Sequence, residues 1–298
     1  MLIDLRGQAG RLKRFVAARV GSAQPSPPAH PPSPLHGFSD ERTSVPFVER
    51  LNDDTLQQLN AMLPWKSFTV DSGGRRFGDR RSPWKNQNAR PIPDSRVVLA
   101  DERFCLADKR VLEVGCFEGG HTIGLCRAAA HVVAVDARIV NVVKTMVRCG
   151  FYDAHPTVFV SDLEQWDPDE FDVDVVFHVG VLYHLRDPAR HVMELGRVCR
   201  VGLLLDTHVA EEHEATESYD SGGRSWRFKR YDEIPHLPAA GMYDHARWLT
   251  LNDLLETLQL AGFTGVEVVD RRIEGTPRVT IVAHADGAPR PAASSALG

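Results

Sequence analysis

Residues 110–136, RVLEVGCFEGGHTIGLCRAAAHVVAVD, constrain the fold of this chain more than any other stretch. Arg110 to Val114 is a short apolar, β-branched run that reads as a buried strand. Gly115 and Gly119 punctuate it, Thr122 to Ala130 is helix-forming, and Val132 to Val135 repeats the strand pattern before Asp136. Strand, glycine loop, helix, strand and a closing carboxylate make a nucleotide-binding half-unit. The glycine spacing then narrows the ligand. A dinucleotide fingerprint places a second glycine two residues after the first, so that the backbone can approach a pyrophosphate. Phe117 holds that position here, and its ring would crowd a pyrophosphate off the loop. A ligand without phosphates needs only the turn at Gly115 and close helix packing at Gly119.

With 298 residues, 43% of them hydrophobic, the chain can bury one main core with appendages. Its formal charge of -5 supplies no global basic field, so a nucleic-acid partner would need a local patch. The 5 cysteines are scattered at positions 105, 116, 126, 149 and 199 without a C-x-x-C pair. That pattern fits neither a disulfide framework nor a zinc site, and the expected setting is a reducing cytoplasm. No apolar run approaches the roughly eighteen residues of a membrane span, and no signal-peptide block opens the sequence. Asp206, His208, Glu211, Glu212 and His213 match no standard ligand spacing, so no metal is expected.

In chain order, residues 1–21 alternate apolar and basic positions, either as a basic amphipathic helix or as a solvated terminus. Prolines at 25, 27, 28, 31, 32 and 34 make 22–39 a linker. Residues 40–107 form an N-terminal extension or cap, with a helix over Asp54 to Met62 and then a turn-rich stretch of aromatics among cations. The main domain runs over 108–286, followed by a small, polar tail at 287–298. Within it the pattern predicts helices over Ile139 to Cys149, Pro188 to Val198 and Leu251 to Leu260. Strands are expected at Thr157 to Val160, Val173 to Val179 and Val201 to Asp206, with a closing antiparallel hairpin of Val266 to Val269 and Val279 to Ala283. The fold class is therefore α/β and Rossmann-like, a mostly parallel seven-stranded sheet with a C-terminal antiparallel hairpin. Residues 206–248 read as a long irregular insertion, too long for a simple connector and hence a substrate cover. Arg224, Trp226, Tyr231, Tyr243 and His245 are its candidate substrate residues.

Glu113, Gly115 and Gly119 form E-x-G-x-x-x-G, which resembles motif I of the class I S-adenosylmethionine-dependent methyltransferases. The resemblance implies that the loop lies under the methionine and ribose of the cofactor and that Asp136 holds the ribose hydroxyls. A carboxylate suits that diol because it accepts two charge-assisted hydrogen bonds. It also implies that Asp162 and Leu163, after the third strand, meet the adenine, and that Val179 and the following loop border the cofactor. LPWKSF at 63–68, the W-K pair at 84–85 and GVLYH at 180–184 further resemble the bacterial tRNA wobble-uridine carboxymethyltransferases, a likeness running from about Leu63 to Ala283. In that group two lysines, a tyrosine and an arginine approach a carboxylated S-adenosylmethionine. The matching positions are Lys66, with Ser67 as the other candidate for its place, Lys85, Tyr183 and Arg278.

Tyr183 and His184 are then the catalytic candidates beside the transferred group. His184 is read as a general base for a hydroxyl or as a brace for its loop, since its ordinary titration range suits proton transfer. The expected activity is S-adenosylmethionine-dependent methylation of a small polar acceptor, a hydroxyl of a sugar or secondary metabolite. The alternatives are a tRNA wobble-uridine carboxymethyltransferase using carboxy-S-adenosylmethionine, with tRNA as partner, and a non-catalytic cofactor-binding protein.

Overall fold

The computed structural model describes residues 47–78 and 89–285. The expectations for 1–21, 22–39, Trp84, Lys85 and the tail lie outside the described residues. In chain order the elements are α1 (Asp53–Met62), β1 (Thr69–Val70), β2 (Arg76–Phe77), α2 (Ser95–Phe104), β3 (Arg110–Val114), α3 (Gly120–Ala128), β4 (His131–Asp136), α4 (Ile139–Phe151), β5 (Thr157–Val160) and β6 (Val173–Val179). They continue with α5 (Pro188–Val198), β7 (Cys199–His208), β8 (Glu217–Ser221), β9 (Arg224–Asp232), β10 (His245–Leu249), α6 (Leu251–Leu260), β11 (Phe263–Arg272) and β12 (Arg278–Ala285).

The main sheet has seven strands in the order β11-β12-β7-β6-β3-β4-β5. The pairs from β7 through β5 are parallel, and β12 runs antiparallel to both β7 and β11. The architecture expected from the apolar runs is thus the one observed. Alternation along the strands explains why those runs are nearly unbroken. Leu112, Val114, Val176, Leu203 and Leu205 pack on one face under α5 and α6, while Val111, Val175, Phe177 and Leu204 pack on the other under α2 and α3. A strand covered on both faces has no solvent side to make polar.

Two expectations need correction. Helix α2 is missing from the sequence reading, although Asp94 caps it by accepting from the Arg96 N–H at 3.0 Å. The insertion is also not irregular: β8, β9 and β10 form a three-stranded antiparallel sheet. Gly222 and Gly223 turn the β8–β9 hairpin with φ of 61° and 77°, the left-handed conformation that a two-residue hairpin turn of this kind requires. Trp226 and Phe228 face the core and Arg227 faces out, a period of two.

The N-terminal extension is anchored by a buried ionic knot. Val48, Leu56, Trp65 and Phe77 pack on Ile123 of α3 and on Cys149 and Tyr152 at the end of α4. Beside them the Glu118 carboxylate accepts from the backbone N–H groups of Lys66 and Ser67 at 2.7 and 2.9 Å and from Lys144 Nζ at 2.9 Å. Arg148, fully buried, donates to the Ser67 carbonyl at 2.9 Å and lies over the Trp65 ring at 4.8 Å. Glu118 belongs to the glycine loop, so the extension is fastened to the same loop that borders the cavity described below.

Candidate active site

The loops leaving the carboxyl ends of β3, β4, β5 and β6 surround a cavity of about 410 Å³. This is where open α/β sheets bind ligands, because consecutive crossovers diverge there and leave a crevice. Its floor needs glycine. Gly115 has φ of 77°, and a Cβ there would lie 2.2 Å from Val181 Cγ2. Gly180, with φ of 79°, leaves its space between Arg278 and Tyr183.

Asp136, at the end of β4, is the central carboxylate. Its Oδ1 accepts from the Arg138 N–H at 2.9 Å and Asn141 Nδ2 at 3.1 Å, and its Oδ2 accepts from the Phe117 N–H at 3.1 Å. Burial pushes its carboxyl above the ordinary aspartate value, against these donors. Phe117 thus spends its N–H on a carboxylate, where a phosphate loop would present it to an anion. Asp162 follows β5; its Oδ1 accepts from the Glu164 N–H at 3.1 Å and its Oδ2 from the Tyr243 hydroxyl at 2.9 Å.

The far wall carries charge in opposed pairs. Arg278 donates through Nε to Asp206 Oδ1 at 2.6 Å, and its Nη2 reaches the same oxygen. Burial disfavours the charge on Asp206, but the guanidiniums of Arg278 and Arg96 outweigh it and hold the carboxyl below its ordinary value. Arg278 also lies 5.5 Å from the centre of the Tyr183 ring, whose phenol is pushed up chiefly by burial. The turn Leu182–His184 delivers His184, whose Nδ1 is 2.5 Å from Glu233 Oε1. Among the described residues its Nε2 has no hydrogen-bond partner, and His184 is part of the cavity lining. A histidine held this way by a carboxylate is oriented as an acceptor at the other nitrogen.

Residues 111–202 match the methyltransferase domain family. The tRNA U34 carboxymethyltransferase of Alcanivorax borkumensis is 28% identical over 249 residues, which span 81% of this chain and 70% of that one. That of Marinobacter nauticus is 30% identical over 217 residues, 71% of this chain and 58% of its relative. The chain spans 66% and 61% of two further relatives of the same name, from Geobacter and Citrifermentans bemidjiense. Among solved structures, the N-terminal domain of EvdMO1 in the presence of SAH and D-fucose aligns with a TM-score of 0.64 at 25% identity, over 78% of this chain and 94% of that one. The chain is a class I S-adenosylmethionine-dependent methyltransferase.

Several of the predicted site residues line the methyltransferase's cavity: Gly115, Asp136, Asp162, Leu163, Val179, Tyr183, His184, Tyr243 and Arg278. Others do not. Glu113 shares the parity of Val111 on β3, so its side chain points beneath α3, where Oε2 accepts from the Thr122 hydroxyl at 2.5 Å. Gly119 caps α3 with φ of 77° and packs on Thr145. Lys66 is exposed and off the cavity, because the grip of Glu118 on two successive N–H groups turns its side chain outward; Ser67 lines the wall instead. Lys85 lies outside the described residues.

Of the five substrate candidates only Tyr243 is on the wall. Trp226 is a core residue, Arg224 pairs with Glu256, Tyr231 stacks on Trp248 with ring centres 4.6 Å apart, and His245 pairs with Asp244 at 2.7 Å. The sequence reading missed Arg96, Arg138, Asn141 and Glu233. For Asn141 a signal existed, since it lies five residues after Asp136 on the first turn of α4.

Proposed function

We propose that this methyltransferase transfers a methyl group from S-adenosylmethionine to a hydroxyl of a small polar acceptor of the sugar class. The observation that carries the reading is the His184 imidazole, held through Nδ1 by Glu233 at 2.5 Å in the cavity lining, with Nε2 unpaired among the described residues. A sugar hydroxyl is a weak nucleophile at neutral pH, and a base within reach of its proton raises its reactivity. The domain of EvdMO1, solved with SAH and D-fucose, supports the same acceptor class.

The residues present fit the cofactor. Asp136 would hold the ribose hydroxyls, Asp162 the adenine amino group, and Leu163 the adenine face. Gly115, Val179 and Gly180 leave room beneath the methionine arm. When bound, S-adenosylmethionine supplies an electrophilic methyl on a sulfonium. The protein's share is alignment of the acceptor oxygen by the cavity walls, where orientation of this kind contributes on the order of 7 to 11 kcal/mol in favourable cases. His184 takes the hydroxyl proton at Nε2, and Glu233 stabilises the resulting imidazolium. Tyr183 packs against His184 with ring centres 4.2 Å apart and shields that side from water.

Carboxymethyl transfer to tRNA is the second reading. The names of the curated relatives and the closeness of Tyr183 to Arg278 favour it. Against it, Arg278 is already paired with Asp206 and Lys66 faces outward, so these two cations do not answer an added carboxylate, whose unpaired burial would be costly. Mass spectrometry decides between them. The purified protein is incubated with methyl-labelled S-adenosylmethionine and a panel of free and nucleotide-linked sugars, and in parallel with carboxy-S-adenosylmethionine and unmodified tRNA. A labelled O-methyl sugar is expected. Carboxymethyluridine in the tRNA, with no sugar product, would overturn the reading.

A further inference from the structure

We propose that Glu233 is a positioning residue for His184, and that residues 233–244, the loop joining β9 to β10, bind over the cofactor so that cofactor occupancy and orientation of the base are one event. The inference rests on the reading of His184 as the base. It concerns a residue 49 positions away in sequence, in the loop that follows β9.

The first observation is the pair itself. The Glu233 side chain is 3% exposed and that of His184 17%, so the contact is shielded from water. A carboxylate can only accept here, so Nδ1 carries the proton and Nε2 keeps its lone pair. No other described group holds the ring by a hydrogen bond. Remove the carboxylate and the two neutral tautomers compete, one of which presents an N–H where an acceptor is needed.

The second observation is how the loop is fastened. Arg138 Nη2 donates to the carbonyls of Ala240 and Gly241 at 3.1 and 2.9 Å. Asn141 Nδ2 bridges the Pro238 carbonyl at 3.2 Å and Asp136 Oδ1 at 3.1 Å. Tyr243 closes the loop on Asp162. Each anchor is thus a neighbour of a carboxylate proposed for ribose or adenine. Asn141 is 2% exposed, yet its Oδ1 has no partner. A buried acceptor left open on the wall of a cavity is completed by a ligand donor, and a ribose hydroxyl is the donor at hand. Satisfying Oδ1 fixes the amide with Nδ2 toward Pro238. At the loop's other end, Gly241 sits so close that a Cβ would come within 2.7 Å of the His184 carbonyl and 3.3 Å of Glu233 Cγ. The loop therefore reaches the base turn with no space for a side chain between them.

The test reads the imidazole directly and needs no acceptor. Protein labelled with ¹⁵N-histidine is examined by NMR with and without S-adenosylhomocysteine, the His184 signals being identified by their loss in His184→Asn. In the wild type with S-adenosylhomocysteine, a single tautomer with Nδ1 protonated is expected. Glu233→Gln keeps it, because the amide oxygen still accepts. Glu233→Ala gives a tautomer mixture, and Asn141→Ala gives the same mixture at subsaturating S-adenosylhomocysteine. Glu233→Ala also lowers kcat at least tenfold on any acceptor found and, because the coupling is reciprocal, weakens S-adenosylhomocysteine binding by a smaller factor.

A proton on Nε2 in the wild type, or an unaltered tautomer in a folded Glu233→Ala, would overturn the proposal. If the sugar assay fails while the tautomer responds as described, only the acceptor class falls. If methyl transfer to sugar is found and the tautomer ignores Glu233, only this inference falls.

Discussion

Glu113→Gln separates a structural role for the motif I acid from a ligand-binding one. Glu113 is 1% exposed on the sheet face beneath α3, with one oxygen bound by Thr122 and the other without a hydrogen bond, 4.0 Å from His121 Nδ1. Burial pushes its carboxyl up from 4.5 to about 8, with the charge of Asp136 adding to the effect and Thr122 opposing it. The folded protein therefore keeps a proton that the unfolded chain releases. Stability from this group is present below pH 4.5 and is lost as pH rises through 8, the opposite sign to a salt-bridged acid. Between pH 6 and 8 nearly every unfolded chain has ionised while the fold still resists. At about 1.4 kcal/mol per tenfold change in proton activity, the loss is about 2 kcal/mol over that interval.

Glutamine has nearly the same shape, accepts from Thr122 and never ionises. Its NH₂ meets no acceptor, so the absolute stability carries an added cost of roughly 1 to 3 kcal/mol. The slope is the readout. Urea unfolding at pH 6, 7 and 8 should show wild-type stability falling by about 2 kcal/mol more than that of Glu113→Gln, with S-adenosylhomocysteine affinity unchanged by calorimetry. Parallel slopes would mean that Glu113 is ionised in the fold. A large loss of affinity would mean that it meets the ligand, contrary to its place beneath the helix.

Other consequences are as direct. Glu118→Ala leaves Lys144 and Arg148 buried without their carboxylate, and a cost of about 3 to 5 kcal/mol is expected, seen as a lowered midpoint and faster proteolysis of residues 47–78. Asp136→Ala should weaken S-adenosylhomocysteine binding roughly 10- to 100-fold, the worth of one charge-assisted hydrogen bond, while Lys66→Ala leaves it unaltered. His178 and His191 share a buried contact at 3.1 Å between their Nε2 atoms, and burial lowers His178 to about 4 and His191 well below its ordinary value. Both stay neutral where the unfolded chain protonates, so stability falls as pH drops from 6.5 toward 4. About 2 kcal/mol should be lost between pH 7 and 5 through His178 alone, and the double variant His178→Leu, His191→Leu should not show that loss.

What was legible in the sequence follows from how each part is buried. Strands covered on both sides must be continuous apolar runs, so β3 and β6 could be read to the residue, the exposed edge strand β5 was legible from its β-branched residues alone, and the glycines of the β3 loop announced a close approach that the geometry explains. The insertion was misread because its signals are local and mixed. The Ser-Gly-Gly-Arg turn and the alternation of Trp226 and Phe228 with Arg227 do spell a hairpin, but an aromatic among cations looks the same whether it faces a core, a cavity or water. Alternation assigns Trp226 and Phe228 to the core, and that alone removes Trp226 from the ligand list. Lys66 failed for a different reason. Its neighbours in sequence are the right ones, but its direction is set by Glu118, 52 residues later, which binds its backbone and not its side chain.

Glu233 shows where reading residues in order runs out. It is an acid in the segment DEIPHLPAAGMYD, and nothing in its immediate neighbours distinguishes it from Asp232, which is exposed. It matters only because β9 and β10 are antiparallel neighbours whose register holds Asp232 opposite His245, which brings the start of the loop back over the turn that carries His184. The far end of that loop is tied down separately, by β10, whose Arg247 N–H donates to the Leu185 carbonyl at 2.9 Å. His184 was visible from its motif, whereas its partner depends on a register, and register is a property of two strands at once.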